Sequence, residues 1–195
     1  MAGLAIGSFV VCGIVVAVLL VVLVVGIWLM GVYNGLARLR VAAQAAWSGV
    51  DVELKRRHDL IPNLVETVKG YASHESGTLE AVISARAKAV SAGGIDQKIA
   101  AEGELTQTLG RLMAIAEAYP DLKANTNFLQ LQGELAATED RIGRSRTGYN
   151  GAAGTFNTQV VIFPNNLIAG MFGFSKMAFF EVENAAERNA PQVKF

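Results

Sequence analysis

The chain has 195 residues, of which 52% are hydrophobic and 17% are charged, and its 17 basic side chains balance its 17 acidic ones. Every charged side chain lies at or beyond Arg38, so the preceding part of the chain carries no charge. This division excludes a uniformly soluble globule and a transporter with many spans, and zero net charge gives no global attraction for nucleic acid.

A nearly continuous apolar run extends from Leu4 to Val32. Because about 20 helical residues cross the hydrocarbon core of a bilayer, this run is long enough to span it. Trp28 and Tyr33 fall near its end, where amphipathic rings prefer the headgroup region. A cleaved signal peptide is the alternative, but such a peptide has a basic start and a shorter apolar stretch. The sequence therefore predicts a retained transmembrane anchor over residues 1–33.

The charges next to the span predict its orientation. Arg38 and Arg40 follow its C-terminal end, and no basic side chain precedes it. The positive-inside rule then places the N-terminus outside and the helical domain in the cytoplasm of a single-pass membrane protein. Two Gly-x-x-x-Gly pairs, at residues 3–7 and 31–35, have the spacing that lets helices approach closely. In a glycine-rich run, chance and dimerisation of the helices explain this spacing equally well.

Beyond the span, apolar residues recur at steps of three or four from Asn34 to His74, which predicts a long helix continuing from the anchor. Pro62 interrupts this helix by removing the amide that would bond to the carbonyl of His58, so a kink is expected there. Ser76–Thr78 then form a break with helix-capping chemistry, and a second, short helix ends at Ser91.

A third helix is predicted from Ile95 to Tyr119, and a fourth from about Asn125 to Phe163, each followed by a proline or a turn. No stretch alternates with period two. The expected fold is therefore all-α, with the span continuing into a long antiparallel four-helix bundle over residues 34–162. Four glycines between residues 143 and 154 weaken the fourth helix, so a break in that region is the alternative.

Five of the nine phenylalanines occur between Phe163 and Phe180, with Lys176 as the single charge. In an up-and-down bundle this segment, residues 163–180, returns to the membrane side. Two interpretations stay open: the segment lies in the membrane interface beside the anchor, or it folds back as extra core. A polar tail, residues 181–195, follows. The candidate interface residues of the segment are Phe163, Leu167, Ile168, Met171, Phe172, Phe174, Phe179 and Phe180.

Two parts of the first long helix are candidates for a partner surface. The first is the basic cluster Lys55-Arg56-Arg57-His58, which begins about 20 residues beyond the span. It is too far away to contact lipid of its own membrane, and it is either a solvated face or a docking patch. After Pro62, apolar residues are assigned to the core and the intervening polar ones to the surface. The candidate partner surface comprises Lys55, Arg56, Arg57, Asn63, Glu66 and Lys69.

No residue pattern indicates catalysis or a cofactor. A zinc site needs three or four protein ligands, whereas His58 and His74 are the only histidines and the single cysteine excludes a cysteine cluster. Position 78, where a zinc-protease helix beginning His74-Glu75 needs its second histidine, is Thr78. Phosphate-binding glycine motifs and Glu-x-x-His pairs are missing as well. The prediction is a protein without metal or cofactor that is not an enzyme, and a carboxylate-based hydrolase is the remote alternative.

The run Arg56-Arg-His-Asp-Leu-Ile-Pro-Asn-Leu-Val-Glu-Thr-Val-Lys-Gly-Tyr-Ala-Ser-His-Glu75 resembles the LemA family. Later motifs resemble it in the same order, among them Tyr149-Asn150, Phe156-Asn157 and Phe163-Pro164. The resemblance implies one N-terminal membrane helix and a long antiparallel helical domain. It implies no agreed biochemical activity, although some relatives are associated with shaping internal membranes. The chain departs from the family pattern between residues 143 and 154, where other members carry better helix formers.

These observations predict a non-enzymatic, membrane-anchored helical scaffold that self-assembles at the bacterial membrane. Its expected partners are the lipid bilayer and further copies of the chain, with no nucleic acid. A regulatory adaptor for another membrane protein is the alternative. An adaptor requires an unidentified protein partner.

Overall fold

The computed structural model describes residues 2–181, with the side chains of residues 13–181. No β-strand occurs within that range, which confirms the all-helical prediction. Beyond Glu181, the predicted polar tail lies outside the described residues. The helices are α1 (Ala2–Lys69), α2 (Ser76–Ser91), α3 (Ile95–Glu117), α4 (Pro120–Lys123), α5 (Thr126–Val161) and α6 (Asn165–Met171).

Helix α1 joins the apolar run and the first amphipathic stretch into one helix of 68 residues, with Pro62 inside it. It is the one helix in the described part of the chain that is long and apolar enough to cross a membrane. The helix ends at Lys69, five residues before the predicted end. Gly70 follows directly, and its N–H still bonds to the carbonyl of Glu66 at 3.3 Å.

Helix α5 is continuous through residues 143–154, so the alternative of a break in that region is wrong. Glycine costs a helix about 1 kcal/mol relative to alanine, but here the same helix turns bury a complete apolar stripe. Tyr149, Ala153 and Phe156 are at most 1% exposed. Burying side chains of this size stabilises the helix by more than the glycines weaken it.

Two features differ from the sequence prediction, and one boundary agrees with it. Ser76 is the first residue of α2 rather than part of a break, and the preceding cap residue, Glu75, makes no side-chain capping bond. Two short helices, α4 and α6, were not predicted. The start of α5 near Asn125 was predicted. Asn125 caps the helix by accepting a hydrogen bond from the N–H of Phe128 at 3.0 Å.

The chain forms two compact units. Unit 1 contains the chain up to Ala43 together with Ala152–Met177, and unit 2 contains Gln44–Gly151 together with the chain from Ala178 onward. Both α1 and α5 contribute to each unit. The division predicted from the sequence, at residues 33, 162 and 180, concerns membrane contact and stays a prediction.

The core of unit 2 is built from one apolar stripe of each helix. Its buried members come from the C-terminal part of α1 and the turn after it, from α2, α3 and α4, and from the start of α5. They are Ile61, Leu64, Val65, Val68, Ala72, Leu79, Val82, Ala85, Ala89, Leu105, Leu109, Leu112, Ala116, Leu122 and Phe128.

The core of unit 1 is smaller and connects the end of the apolar run with α6. Leu36 of α1 is buried against Ile168 and Ala169 of α6. The end of α6 is fixed by a Schellman motif, in which the N–H of Phe174 bonds to the carbonyl of Ala169 at 2.9 Å. Gly173 adopts φ 70°, a left-handed conformation that glycine reaches without steric cost.

Candidate functional site

The first candidate site is an exposed apolar surface of unit 1, formed by α6 and the residues beside it. Ile168 and Ala169 face inward, which leaves the other large apolar side chains exposed. Phe163 is 78% exposed and Met171 is 75% exposed. We call Phe163, Leu167, Met171 and Phe172 the α6 rim. A water-exposed rim of this composition is unusual for a soluble helix and typical of one that meets lipid or another protein.

Aromatic contacts join the α6 rim to the end of the apolar run within unit 1. The ring of Tyr33 lies edge-on to Phe172 and Phe174, with centroids 4.9 and 5.6 Å apart. Phe174 also contacts Phe156, at 6.3 Å. Trp28 is 41% exposed. Edge-to-face pairs of this kind hold α6 beside the last turns of the apolar helix.

Two of the predicted interface residues are not exposed, and this part of the prediction is wrong. Ile168 is 2% exposed because it fills the space beside Leu36. Phe180 is 7% exposed and belongs to unit 2, where its ring lies 5.9 Å from that of Trp47. Phe174 is half-buried, whereas Phe179 is exposed. The segment therefore has a core face as well as an outer face.

A groove of about 330 Å³ runs along α1 in unit 1. At one place it meets two amide side chains, where Asn165 Nδ2 donates a hydrogen bond to Gln159 Oε1 at 2.6 Å. The groove is lined by Trp28, Gly31, Val32, Gly35, Leu36, Leu39, Gln159 and Asn165.

Two asparagines one heptad apart hold the segment after α6 against α5. In unit 1, Asn157 donates to the carbonyl of Met177 and accepts from its N–H, both at 2.8 Å. In unit 2, Asn150 makes the same pair of bonds with Phe180, at 3.1 and 2.8 Å. The paired motifs Tyr149-Asn150 and Phe156-Asn157 were visible in the sequence. Their seven-residue spacing was the available signal for this role.

The hydroxyl of Tyr149 adds a further bond in unit 2 by donating to the carbonyl of Ala178 at 2.7 Å. Burial raises the pKa of Tyr149, and the nearby charge of Asp96 raises it further. The phenol therefore stays protonated as a donor at neutral pH. Its ring also packs edge-on against Trp47, with centroids 5.0 Å apart.

The second candidate site is a buried ionic cluster in unit 2. Arg57 is 2% exposed and lies among α3 and α5. Its Nη2 donates to the carboxylate of Glu102, and its Nη1 donates to Glu139 Oε2 at 3.0 Å and to Thr106 Oγ1 at 3.2 Å. His58 Nε2 lies 2.6 Å from Glu102 Oε1. The expectation that Arg57 belongs to an outward surface is therefore wrong.

A hydrogen bond to the backbone of His58, a member of this cluster, explains how the chain accommodates Pro62. Proline has no N–H, so the carbonyl of His58 loses its helical partner. Arg86 of α2 supplies a replacement, because its Nε donates to that carbonyl at 2.7 Å. A buried carbonyl without a donor would be costly, and Arg86 removes that cost. Pro62 thus creates a specific docking point for α2 on α1.

Opposing influences act on the pKa of Glu102. Burial alone would raise it, but the hydrogen bond from His58 and the positive charge of Arg57 outweigh burial, and the pKa lies below its usual value. The carboxylate is therefore charged at neutral pH. A buried carboxylate is stable in this form because it is paired and hydrogen-bonded.

Acidification is expected to destabilise unit 2 through Glu102. Since the pKa of Glu102 is lower in the folded chain, the unfolded chain binds the proton first. The stabilisation is present above about pH 4.3, the usual value for a glutamate, and is lost as the pH falls below it. We expect the midpoint temperature of thermal unfolding of the full chain in micelles to decrease as the pH is lowered below that value. A Glu102→Gln variant should show a smaller fall, and an equal pH dependence would contradict the assignment.

The other members of the predicted partner surface lie on the outside of α1. Lys55, Arg56, Asn63, Glu66 and Lys69 are all exposed. Among the residues that the structure describes, Arg56 pairs with Glu53 alone, at 3.5 Å. These side chains are accessible to a partner, and whether one binds stays a prediction. Within the described range, no group of histidine, cysteine and carboxylate side chains is arranged to hold a metal ion.

Comparison with known proteins shows which family the chain resembles. Residues 46–195 match the profile of the LemA family. Magnetosome protein MamQ 2 of Paramagnetospirillum magneticum is 28% identical over 199 aligned residues, covering 89% of this chain and 73% of the relative. Protein LemA of Metamycoplasma hominis is 29% identical over 169 residues, covering 84% of this chain and 77% of the relative. With one apolar N-terminal helix and a family match over three quarters of its length, the chain belongs to the LemA family.

Proposed function

We propose that this protein is a non-enzymatic, membrane-anchored helical scaffold that assembles at the bacterial membrane and organises or shapes it. The observation that carries the proposal is the α6 rim, whose exposed apolar side chains stand beside the last turns of the apolar helix in unit 1. In this arrangement α1 crosses the bilayer and α6 lies in its interface. The N-terminus is then outside and the helical part is cytoplasmic, as the arginines after the span favour.

The direction of the ion pairs in unit 2 supports an antiparallel bundle as the rigid part of the scaffold. Along α3, Lys98 and then Glu102 pair with Asp51 and then Arg57, so α3 runs in the same direction as α1. Along α5, Glu139 pairs with Arg57 and Arg141 pairs with Glu53, each at 3.0 Å. The order along α1 is reversed, so α5 runs in the opposite direction. Such an alternation is what up-and-down connections produce.

Relatives named as magnetosome proteins support a role at a membrane. For a scaffold, a second membrane contact has a physical use. A single helix can rotate and tilt freely, whereas a helix with an attached interfacial segment holds its domain in one orientation. Copies in one orientation can then pack repeatedly in the plane of the membrane.

Assembly can be tested with the full chain in lipid vesicles at increasing protein-to-lipid ratios. We expect amine-reactive cross-linking to give a ladder of oligomers that lengthens with protein density. A Phe163→Ser/Met171→Ser variant should shorten the ladder because it removes apolar area from the α6 rim. The matched control, Val52→Ser/Ile83→Ser, changes two exposed apolar side chains elsewhere and should leave the ladder unchanged. Monomers at every density would contradict a scaffold.

A regulatory adaptor is the second candidate function, favoured by the exposed polar stripe of α1. Lys55, Glu66 and Lys69 lie close to one line on the helix surface, as 100° per residue requires. An adaptor would copurify with a stoichiometric partner after mild solubilisation. Charge reversal at Glu66 and Lys69 together should then release that partner while leaving cross-linked oligomers unchanged.

A further inference from the structure

We propose that the groove of unit 1 binds one anionic phospholipid from the surrounding bilayer. This inference rests on the proposed function, because it requires α1 to cross a membrane. The groove begins in the last turns of the apolar run and continues past them, so it passes from the hydrocarbon region toward the headgroups. At such a position, lipid is the molecule with the highest local concentration.

The apolar lining of the groove has room for part of an acyl chain. A methyl group built on Gly31 or Gly35 meets nothing within 4 Å, so the space over both glycines is open. Trp28, Val32 and Leu36 provide apolar walls. The volume of about 330 Å³ is within the range of small-molecule sites.

Two amide side chains in the lining of the groove offer hydrogen-bond donors. Asn165 uses one amide N–H to bond Gln159 Oε1, at 2.6 Å. Each carboxamide has two N–H donors, so both residues keep N–H groups that can bind a phosphate or ester oxygen. An acyl chain alone would gain nothing from these amides. Their position beside an apolar channel matches a molecule with a polar head and an apolar tail.

A positive charge one residue before Leu39, which lines the groove, favours an anionic headgroup. With about 100° per residue, Arg38 lies about 40° around α1 from the Gly31–Gly35 line, whereas Arg40 lies about 160° away. The Arg38 side chain is exposed, and no ion pair or hydrogen bond joins it to another residue that the structure describes. One cation near the membrane surface should give about a fivefold preference for an anionic lipid over a zwitterionic one.

A second copy of α1 is the competing occupant, since Gly-x-x-x-Gly spacing suits helix pairing. A partner helix would bury the glycines by apolar contact and would leave the remaining amide N–H groups and the Arg38 side chain without partners. A lipid fills the apolar part of the groove and also binds these polar groups. The experiment therefore includes an arm that detects a second copy.

The test uses fluorescence quenching of Trp28 in the full chain, with Trp47→Phe so that only the groove tryptophan reports. The protein is placed in nanodiscs of phosphatidylcholine with a minor fraction of brominated phosphatidylglycerol or, separately, of brominated phosphatidylcholine. We expect about fivefold stronger quenching per brominated lipid for phosphatidylglycerol, as the charge of Arg38 implies. Gly35→Leu and Arg38→Gln should each remove this excess.

Two matched controls distinguish the groove from the helix as a whole. Gly26→Leu fills space on the opposite side of α1, and Arg40→Gln removes the same charge from a position away from the groove; both should keep the excess. Equal quenching by the two lipids overturns the lipid site alone. No quenching by either lipid overturns the membrane placement of α1 as well. Disulfide dimers of a Cys12→Ser/Gly35→Cys variant, without excess quenching, assign the groove to a second copy and overturn the proposal.

Discussion

Replacing Arg57 with alanine is expected to destabilise unit 2 by about 3–5 kcal/mol, because the Glu102 carboxylate is then buried without its main counter-charge. The free energy of unfolding can be measured by urea titration of the helical circular dichroism signal, with the full chain in micelles. Arg86 and Pro62 are unchanged in this variant, so the local backbone of α1 keeps its partners. The loss therefore reports the ionic cluster.

Arg56 provides the matched control, since it is the neighbouring arginine and its side chain is 56% exposed. Its pair with Glu53 is a surface ion pair, so Arg56→Ala should change the free energy of unfolding by less than about 1 kcal/mol. A further variant, Arg57→Met/Glu102→Leu, removes both charges and should recover much of the loss. Equal losses for Arg56→Ala and Arg57→Ala would contradict the buried cluster.

Placing two arginines in the apolar run should release the protein from the membrane. Leu19 and Val22 lie within the run and are 62% exposed each, as expected of side chains that face lipid. An arginine near the centre of a span costs about 2.5–3.5 kcal/mol on insertion, so Leu19→Arg/Val22→Arg costs about 5–7 kcal/mol. We expect the fraction of protein that stays in the membrane pellet after alkaline extraction to fall from nearly all to a minor share.

The control for this variant places the same charges outside the run. Val41 and Val52 are exposed side chains of the same helix, 62% and 53% exposed, and they follow the arginines that end the span. Val41→Arg/Val52→Arg should leave the pellet fraction unchanged. If the two double variants behave alike, the apolar run is not the element that holds the protein in the membrane.

Much of the helical architecture was predictable because the apolar stripes repeat at steps of three and four. The long α1, the start of α5 and the ends of α2 and α3 follow from that period and from capping residues. The continuity of α5 was harder to predict. Glycine propensity argues for a break, and the burial of Tyr149 and Phe156 that overrides it depends on tertiary packing.

The buried ionic cluster was missed although the sequence contained a signal for it. The apolar stripe of α1 passes from Leu54 to Ile61, and Arg57 fills the stripe position between them. In α3, Glu102 fills the corresponding position between Ile99 and Leu105. Opposite charges at stripe positions on two helices indicate a buried pair. The sequence cannot show which helices face each other, so the pairing itself required the structure.

The segment of residues 163–180 could be predicted only in part from its composition. Its phenylalanines indicated an apolar element, but composition does not distinguish the face that packs inward from the face that stays exposed. That division depends on the seven-residue helix α6 and on the Schellman motif at Gly173. With it, Ile168 faces the core, and Phe163 and Met171 do not.

The accessibility of spin labels tests most directly whether α6 lies in the membrane interface beside the span, as we propose. Nitroxide labels are attached to cysteines replacing Phe163 or Met171 in a Cys12→Ser chain reconstituted in vesicles. A label replacing Asp140, an exposed charged residue of α5, is the aqueous reference. We expect labels at Phe163 and Met171 to collide more with oxygen and less with a water-soluble nickel complex than the reference does. Collision rates equal to those of the reference at both positions would contradict the claim.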